Sequence, residues 1–261
     1  MKNKLIHIPF ILLLVWSFPQ NSKSQNTVLR KNGNNQNGWL MYFGTLKLNQ
    51  KWSVHTEAQL RRSEYFSQPQ QLLLRIGLNH HFSHGLLATI GYGYIETYPY
   101  GIFPVQVQFS EHRLWQQVQH KSSLGGWEWI NRLRLEQRWV NLPIADSLAA
   151  YHEGSDVFSN RFRLMNRVSI PLFDKKINDG GFYLSFYDEI FVQFGKNVKY
   201  NLFDQNRLYG AIGYQWSQAV RLEAGCLLQT LYKPDGIRVE QNHTLQLGLT
   251  TTFSLKNKKQ A

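Results

Sequence analysis

The sequence lacks most of what would declare a soluble enzyme. It has one cysteine, Cys226, among 261 residues, so an internal disulfide framework is excluded. No zinc-ligand spacing, phosphate-cradling glycine loop or redox pair occurs, so neither a metal nor a cofactor is expected. Long apolar runs are absent beyond the N-terminus, and crossing a bilayer as a helix takes about 20 such residues; a helical membrane bundle is therefore excluded. No nucleic-acid motif accompanies the formal net charge of +12, which points instead to acidic lipid headgroups or lipopolysaccharide phosphates as partners.

What the chain does have is alternation. Between Trp52 and Arg62, the apolar or small residues Trp52, Val54, Thr56, Ala58 and Leu60 alternate with Ser53, His55, Glu57, Gln59 and Arg61. A period of two is a strand with one apolar and one ionic face. Ahead of it, Lys2 and Lys4, the apolar run Leu5 to Phe18 and the small residues of Ser22-Lys23-Ser24 read as an export signal over residues 1–24, cleaved before Gln25. Residues 25–255 then form one β domain, and 256–261 a solvated basic tail.

Eleven strands are legible: Trp39 to Leu48, Lys51 to Arg62, Gln71 to His81, Leu86 to Thr97, Phe109 to Lys121, Gly126 to Val140, Ser159 to Leu172, Gly181 to Phe194, Asp204 to Trp216, Val220 to Tyr232 and Val239 to Leu255. Most reach the roughly 9 to 11 residues that a tilted transmembrane strand needs. Short connections, such as Asn49-Gln50, alternate with longer ones, such as Asn141 to Phe158. Short periplasmic turns and longer outer loops produce that asymmetry. The expectation is an all-β, antiparallel up-and-down transmembrane barrel in the outer membrane. Because bacterial single-chain barrels favour even strand numbers, Thr27 to Lys31 is assigned as a twelfth strand, with Asn32 to Gly38 as its loop; ten strands is the alternative.

Charged side chains facing lipid at mid-depth cost about 2 to 4 kcal/mol each for Arg or Lys, which fixes the phase. The inner face then carries Glu57, Arg61, Arg75, Glu111, Arg113, Glu128, Arg132, Arg134, Glu136, Arg138, Arg161, Arg163, Arg167, Glu189, Arg207, Arg221 and Glu223. Such an Arg/Glu lattice suits a structural plug; its arginine excess also suits a narrow anion-selective channel or binding cavity. Aromatics near strand ends, Trp39, Trp52, Tyr98, Trp127, Trp129, Trp139, Trp216 and Tyr232 among them, are assigned to interfacial girdles. The last strand, with Gly248, Phe253 and Leu255, looks like the signal read by the barrel-assembly machinery, although six residues follow it.

Several short segments carry a wider resemblance: Trp39, Lys47-Leu48-Asn49-Gln50-Lys51-Trp52-Ser53, Glu57-Ala58-Gln59-Leu60-Arg61, Gly91-Tyr92-Gly93-Tyr94, Glu111-His112-Arg113, Asn160-Arg161-Phe162-Arg163, Tyr187-Asp188-Glu189 and Asn206-Arg207. In this order and spacing the chain resembles the domain of unknown function 2490 family of exported proteins of Bacteroidota-type bacteria. The resemblance implies an outer-membrane β-barrel of unsettled function and brings no catalytic residues. Two other classes stay open. His112, Gln116, Asn131, Asn166 and Asp188 fall in the lipid-facing phase, through a phase-shifting bulge, through a dimer contact, or as parts of a lipid acyl hydrolase using Ser110, His112 and Asp188. A soluble periplasmic barrel with inverted phase would instead enclose lipid among its leucines.

Overall fold

The computed structural model describes residues 30–145, 151–152 and 154–255. The assigned signal over residues 1–24, most of the assigned strand Thr27 to Lys31, and the basic tail lie outside them. Strands β1 (Lys31–Lys47), β2 (Trp52–Ser63), β3 (Gln68–His81), β4 (Leu86–Thr97), β5 (Phe109–Leu124) and β6 (Trp127–Asn141) are followed by a two-residue pair, β7 (Ile144–Ala145) and β8 (Tyr151–His152). Then come β9 (Asp156–Pro171), β10 (Gly181–Phe194), β11 (Phe203–Ser217), β12 (Val220–Tyr232) and β13 (Arg238–Ser254). No helix occurs among the described residues.

Eleven strands close into one barrel, in the order β1-β13-β12-β11-β10-β9-β6-β5-β4-β3-β2, with β7 and β8 paired apart from it. Consecutive strands are antiparallel and β1 closes on β13 in parallel, an arrangement that an odd number requires. This corrects the expectation of twelve or ten. Asn32 to Gly38, assigned as a loop, is the first part of β1 and pairs with Asn32↔Val239 through Gly38↔Leu245. Inside, Asn35 donates to Asn242 Oδ1 at 2.9 Å and accepts from the Ile102 backbone N–H at 3.0 Å. Gly38 is required on the other face, because a Cβ there would collide with the Phe66 ring.

Phe66 reaches that position through a strained turn. Glu64, Tyr65 and Phe66 have φ of 48°, 48° and 77°, the left-handed region that non-glycine residues avoid. Arg62 holds the turn by donating to the carbonyls of Phe66 (3.0 Å) and Ser67 (2.8 Å).

Alternation sorts the two faces as expected. Ile76, Ile90, Leu133, Ile212, Leu222 and Leu247 are exposed on the outside, whereas the inside buries Glu57, Arg75, Arg113, Arg134, Glu136, Arg163 and Glu189. A water-soluble barrel enclosing lipid would have the opposite phase, so that alternative is overturned. Turns 48–51, 82–85, 125–126, 172–180 and 218–219 gather at one end, here the turn end, and the mostly longer connections gather at the other, the loop end.

Parallel closure is directly testable. In a Cys226→Ser background, cysteines replacing the register partners Leu40 and Leu247 should form a reducible cross-link on mild oxidation, read as a gel shift. Cysteines at Leu40 and Thr252 should not cross-link, and the reverse pattern would refute this register.

Candidate functional site: the ionic lumen and its loop-end chamber

All seventeen charged residues assigned to the interior line it. Glu136 on β6 is the centre, with none of its surface exposed. Its Oε2 accepts from Arg161 Nη2 (2.6 Å) and Nε (2.9 Å), and its Oε1 from Arg163 Nη1 (2.7 Å) and Arg75 Nη2 (3.3 Å). Arg161 and Arg163 come from the adjacent strand β9 and Arg75 from β3, three strands away, so the carboxylate links strands that are not neighbours in the sheet. Glu189 accepts both ends of the Arg163 fork at 3.0 Å and Arg132 Nη2 at 2.6 Å. Glu111 accepts Arg113 and Arg138 in the same forked manner, and Glu57 accepts Arg75 at 2.8 Å. Near the turn end, Arg221 bridges to Glu128 at 2.9 Å, and Arg167 and Tyr183 both donate to Glu223. Bidentate geometry is what makes arginine the effective cation here.

Aromatic rings fill the remaining width. Trp115 and Phe191 are buried with Arg134 4.6 Å and Arg163 4.5 Å from their ring centroids. Trp115 lies flat because Gly77 and Gly91 face it, and a Cβ at Gly91 would meet its indole. At mid-height the inward side chains are closed to water.

Toward the loop end the filling gives way to a chamber of about 490 Å³. Two bulges build it. The β2–β3 register steps from Arg61↔Gln71 to Arg62↔Pro69, and the β10–β11 register from Phe191↔Gln205 to Val192↔Phe203. The skipped residues, Gln70 and Asp204, turn inward although their neighbours Gln71 and Gln205 also belong to the inner phase. A bulge re-aims a side chain in this way. Gln70 Oε1 accepts Trp39 Nε1 at 2.7 Å, and Asp204 accepts Arg161 Nη1 at 2.9 Å and Gln193 Nε2 at 2.8 Å. Tyr100, on the 98–108 loop, donates to Glu240 at 3.4 Å; its burial and the nearby Glu240 charge push its phenol above the usual range, so it stays a neutral donor.

Trp39 corrects the girdle assignment. Its surface is only 1% exposed, and it lies inside, with Arg61 and Arg207 guanidiniums 4.1 and 5.3 Å from its ring centroid. Trp52, Trp127, Trp129 and Trp216 do lie on the outward phase near the turn end. Trp139 packs outward against Phe158 at the loop end, 5.2 Å between centroids, where Tyr98 and Tyr232 also sit.

Three of the outward polar residues, His112, Gln116 and Asp188, are paired on that surface. Tyr92 and His112 share a hydrogen bond of 2.5 Å, Gln116 and Gln137 exchange amide bonds at 3.1 Å, and Asn206 donates to Asp188 at 2.6 Å. The ladders from β4 through β10 have continuous registers there, so no bulge shifts the phase. Asp188 shares a register row with Asn166, Asn131 and His120. His112 is eight positions from His120 on β5, about 26 Å at strand rise, so Ser110, His112 and Asp188 do not assemble. Among the described residues, no group of three His, Cys, Asp or Glu could hold a metal ion.

The fold and interior define a class: a closed, all-β, up-and-down barrel with a buried Arg/Glu network and an apolar exterior. Within that class, the chain belongs to the family described as Protein of unknown function (DUF2490), whose profile matches residues 36–251. No curated protein and no solved structure matches it.

Removing one partner of a buried, multiply bonded ion pair costs about 3–5 kcal/mol. Glu136→Gln should therefore lower unfolding stability in detergent by about that much. Glu128→Gln, nearer the turn end and with Lys121 and Arg221 partly exposed, should cost about 1 kcal/mol or less. Equal losses in urea titrations would argue against Glu136 as the centre of the network.

Proposed function

We propose that this protein is an integral outer-membrane β-barrel, exported by its N-terminal signal, whose Arg/Glu lattice acts as a structural plug, so that the barrel does not conduct. The carrying observation is the fully buried Glu136, bonded to Arg161 and Arg163 of the neighbouring strand β9 and, three strands away, to Arg75 of β3. An ion path would have to break those bonds. The outward face supports the membrane setting: aliphatic side chains of strands 12–17 residues long stand between two zones rich in aromatics. Outer-membrane lipids and lipopolysaccharide are then its surroundings, and the barrel-assembly machinery the partner that inserts it. The loop-end chamber favours ligand binding over passage as the lumen's second role.

Expressed with its signal in a Gram-negative host, the mature protein should fractionate with outer membranes and show heat-modifiable gel mobility. In planar bilayers it should stay silent in symmetric salt, whereas combined Arg75→Ala, Glu136→Ala and Arg163→Ala substitution should open measurable conductance. Recovery in the soluble periplasm without detergent would overturn the membrane reading, and steady wild-type conductance would overturn the plug.

A further inference from the structure

The chamber holds two arginines without a bonded carboxylate; at mid-height only Arg134, which donates to the Gln117 amide oxygen, is comparable, and it does not face the open space. Arg75, Arg113, Arg138, Arg161 and Arg163 each donate to a carboxylate within 3.3 Å. Arg61 and Arg207 do not. Arg61 donates only to the neutral amide oxygens of Gln59 (2.6 and 3.0 Å) and Gln71 (2.6 Å). Arg207 has no hydrogen-bond acceptor among the described residues; its nearest carboxylate oxygen, on Glu189, is 4.0 Å away, and its Nε is buried without a partner.

Each of the two residues is only 8% exposed, both line the chamber, and both are held against the same Trp39 ring. Two cations buried side by side repel one another and forfeit hydration. A fold that neutralises five chamber arginines with carboxylates leaves these two without one, and Gln70 fixes the ring that holds them in place.

We infer that the chamber is a binding site for a small hydroxylated oxyanion, whose phosphate or carboxylate is received by Arg61 and Arg207. An oxyanion completes the forks as Glu136 does for Arg161 and Arg163. The rest of the ligand faces neutral hydrogen-bonding groups: Gln71, Gln205 and Gln229 amides and the Tyr100 hydroxyl line the space. A volume of about 490 Å³ lies within the range for small-molecule sites. Apolar side chains, Val140, Leu142 and Leu231 among them, stand beside these polar groups, a mixed lining that suits the hydroxyls and C–H faces of a sugar ring. Sugar phosphates and sugar acids share the required chemistry. The inference rests on the plugged-lumen reading, because an open channel would leave the chamber a vestibule.

The test is calorimetric titration of the full mature chain, folded in detergent, with glucose 6-phosphate, glucuronate, inorganic phosphate and glucose. At least one of the two charged sugars should bind saturably, at least about tenfold more tightly than glucose or inorganic phosphate; which of the two binds separates the phosphate source from the carboxylate source. Arg61→Gln and Arg207→Gln should each weaken binding about tenfold or more, and Arg61→Lys, which keeps the charge without the fork, should weaken it less. Lys51→Gln, which removes a cation from a turn at the far end, should leave it unchanged. Heat-modifiable mobility verifies folding of each variant. Absence of saturable binding by either charged sugar, or undiminished affinity in folded Arg61→Gln and Arg207→Gln, would overturn the inference while a silent bilayer trace left the plug standing. Inorganic phosphate binding as tightly as the sugars would overturn the hydroxylated-ligand assignment.

Discussion

The buried carboxylate of Glu136 is the constraint around which the interior is arranged. A charge with no exposed surface is tolerable only if its lone pairs are filled by opposing charge in good geometry. Three arginines meet that need, and each then imposes a need of its own. Arg163 reaches on to Glu189, which draws in Arg132; Arg75 reaches Glu57; Arg161 reaches Asp204. The lattice propagates because arginine has five donors in a fixed fork and one carboxylate cannot satisfy them all. A lysine, with three donors on one atom and no planar fork, would propagate such a lattice less far.

That propagation stops at the loop end, and the reason is backbone geometry. The bulges at Gln70 and Asp204 add inward side chains where strict alternation provides none. Asp204 extends the ionic lattice to β11, whereas Gln70 supplies a neutral acceptor that anchors Trp39. The rim therefore holds two kinds of arginine, those neutralised by the lattice and those braced against an aromatic ring. Only the second kind is left without a carboxylate.

Most of this was legible in the sequence. Ten of the eleven expected strands match the observed bounds to within three residues, because a period of two survives wherever one face is ionic and the other apolar. The phase of Glu57, Arg134, Glu136 and Arg163 followed from the same rule. The departures have specific causes. Trp39 was read as a strand terminus, but β1 begins at Lys31, so its indole sits well inside a strand and on the inner phase. Gln70 and Asp204 could not be found by alternation, since a bulge is where alternation fails. Trp115 and Phe191 do carry a signal in the sequence: each shares its phase with a charged neighbour, Arg113 and Glu189.

Strand number was hidden for a different reason. Asn32 to Gly38 consists of four asparagines, one glutamine and two glycines, a composition that disfavours strands. It becomes strand because closure demands length. Parallel pairing is slightly weaker per residue than antiparallel pairing, and the β1–β13 seam is the only parallel ladder in the barrel. All 17 residues of β1 take part in it, from Lys31↔Arg238 to Lys47↔Ser254. No antiparallel ladder in the barrel is as long. Residues 31–36 pair with β13 alone, and from Asn37 onward each residue gains a second partner on β2. The asparagines at the start of the seam owe their conformation to β13, and that dependence joins residues too far apart in the chain for any local pattern to reveal it.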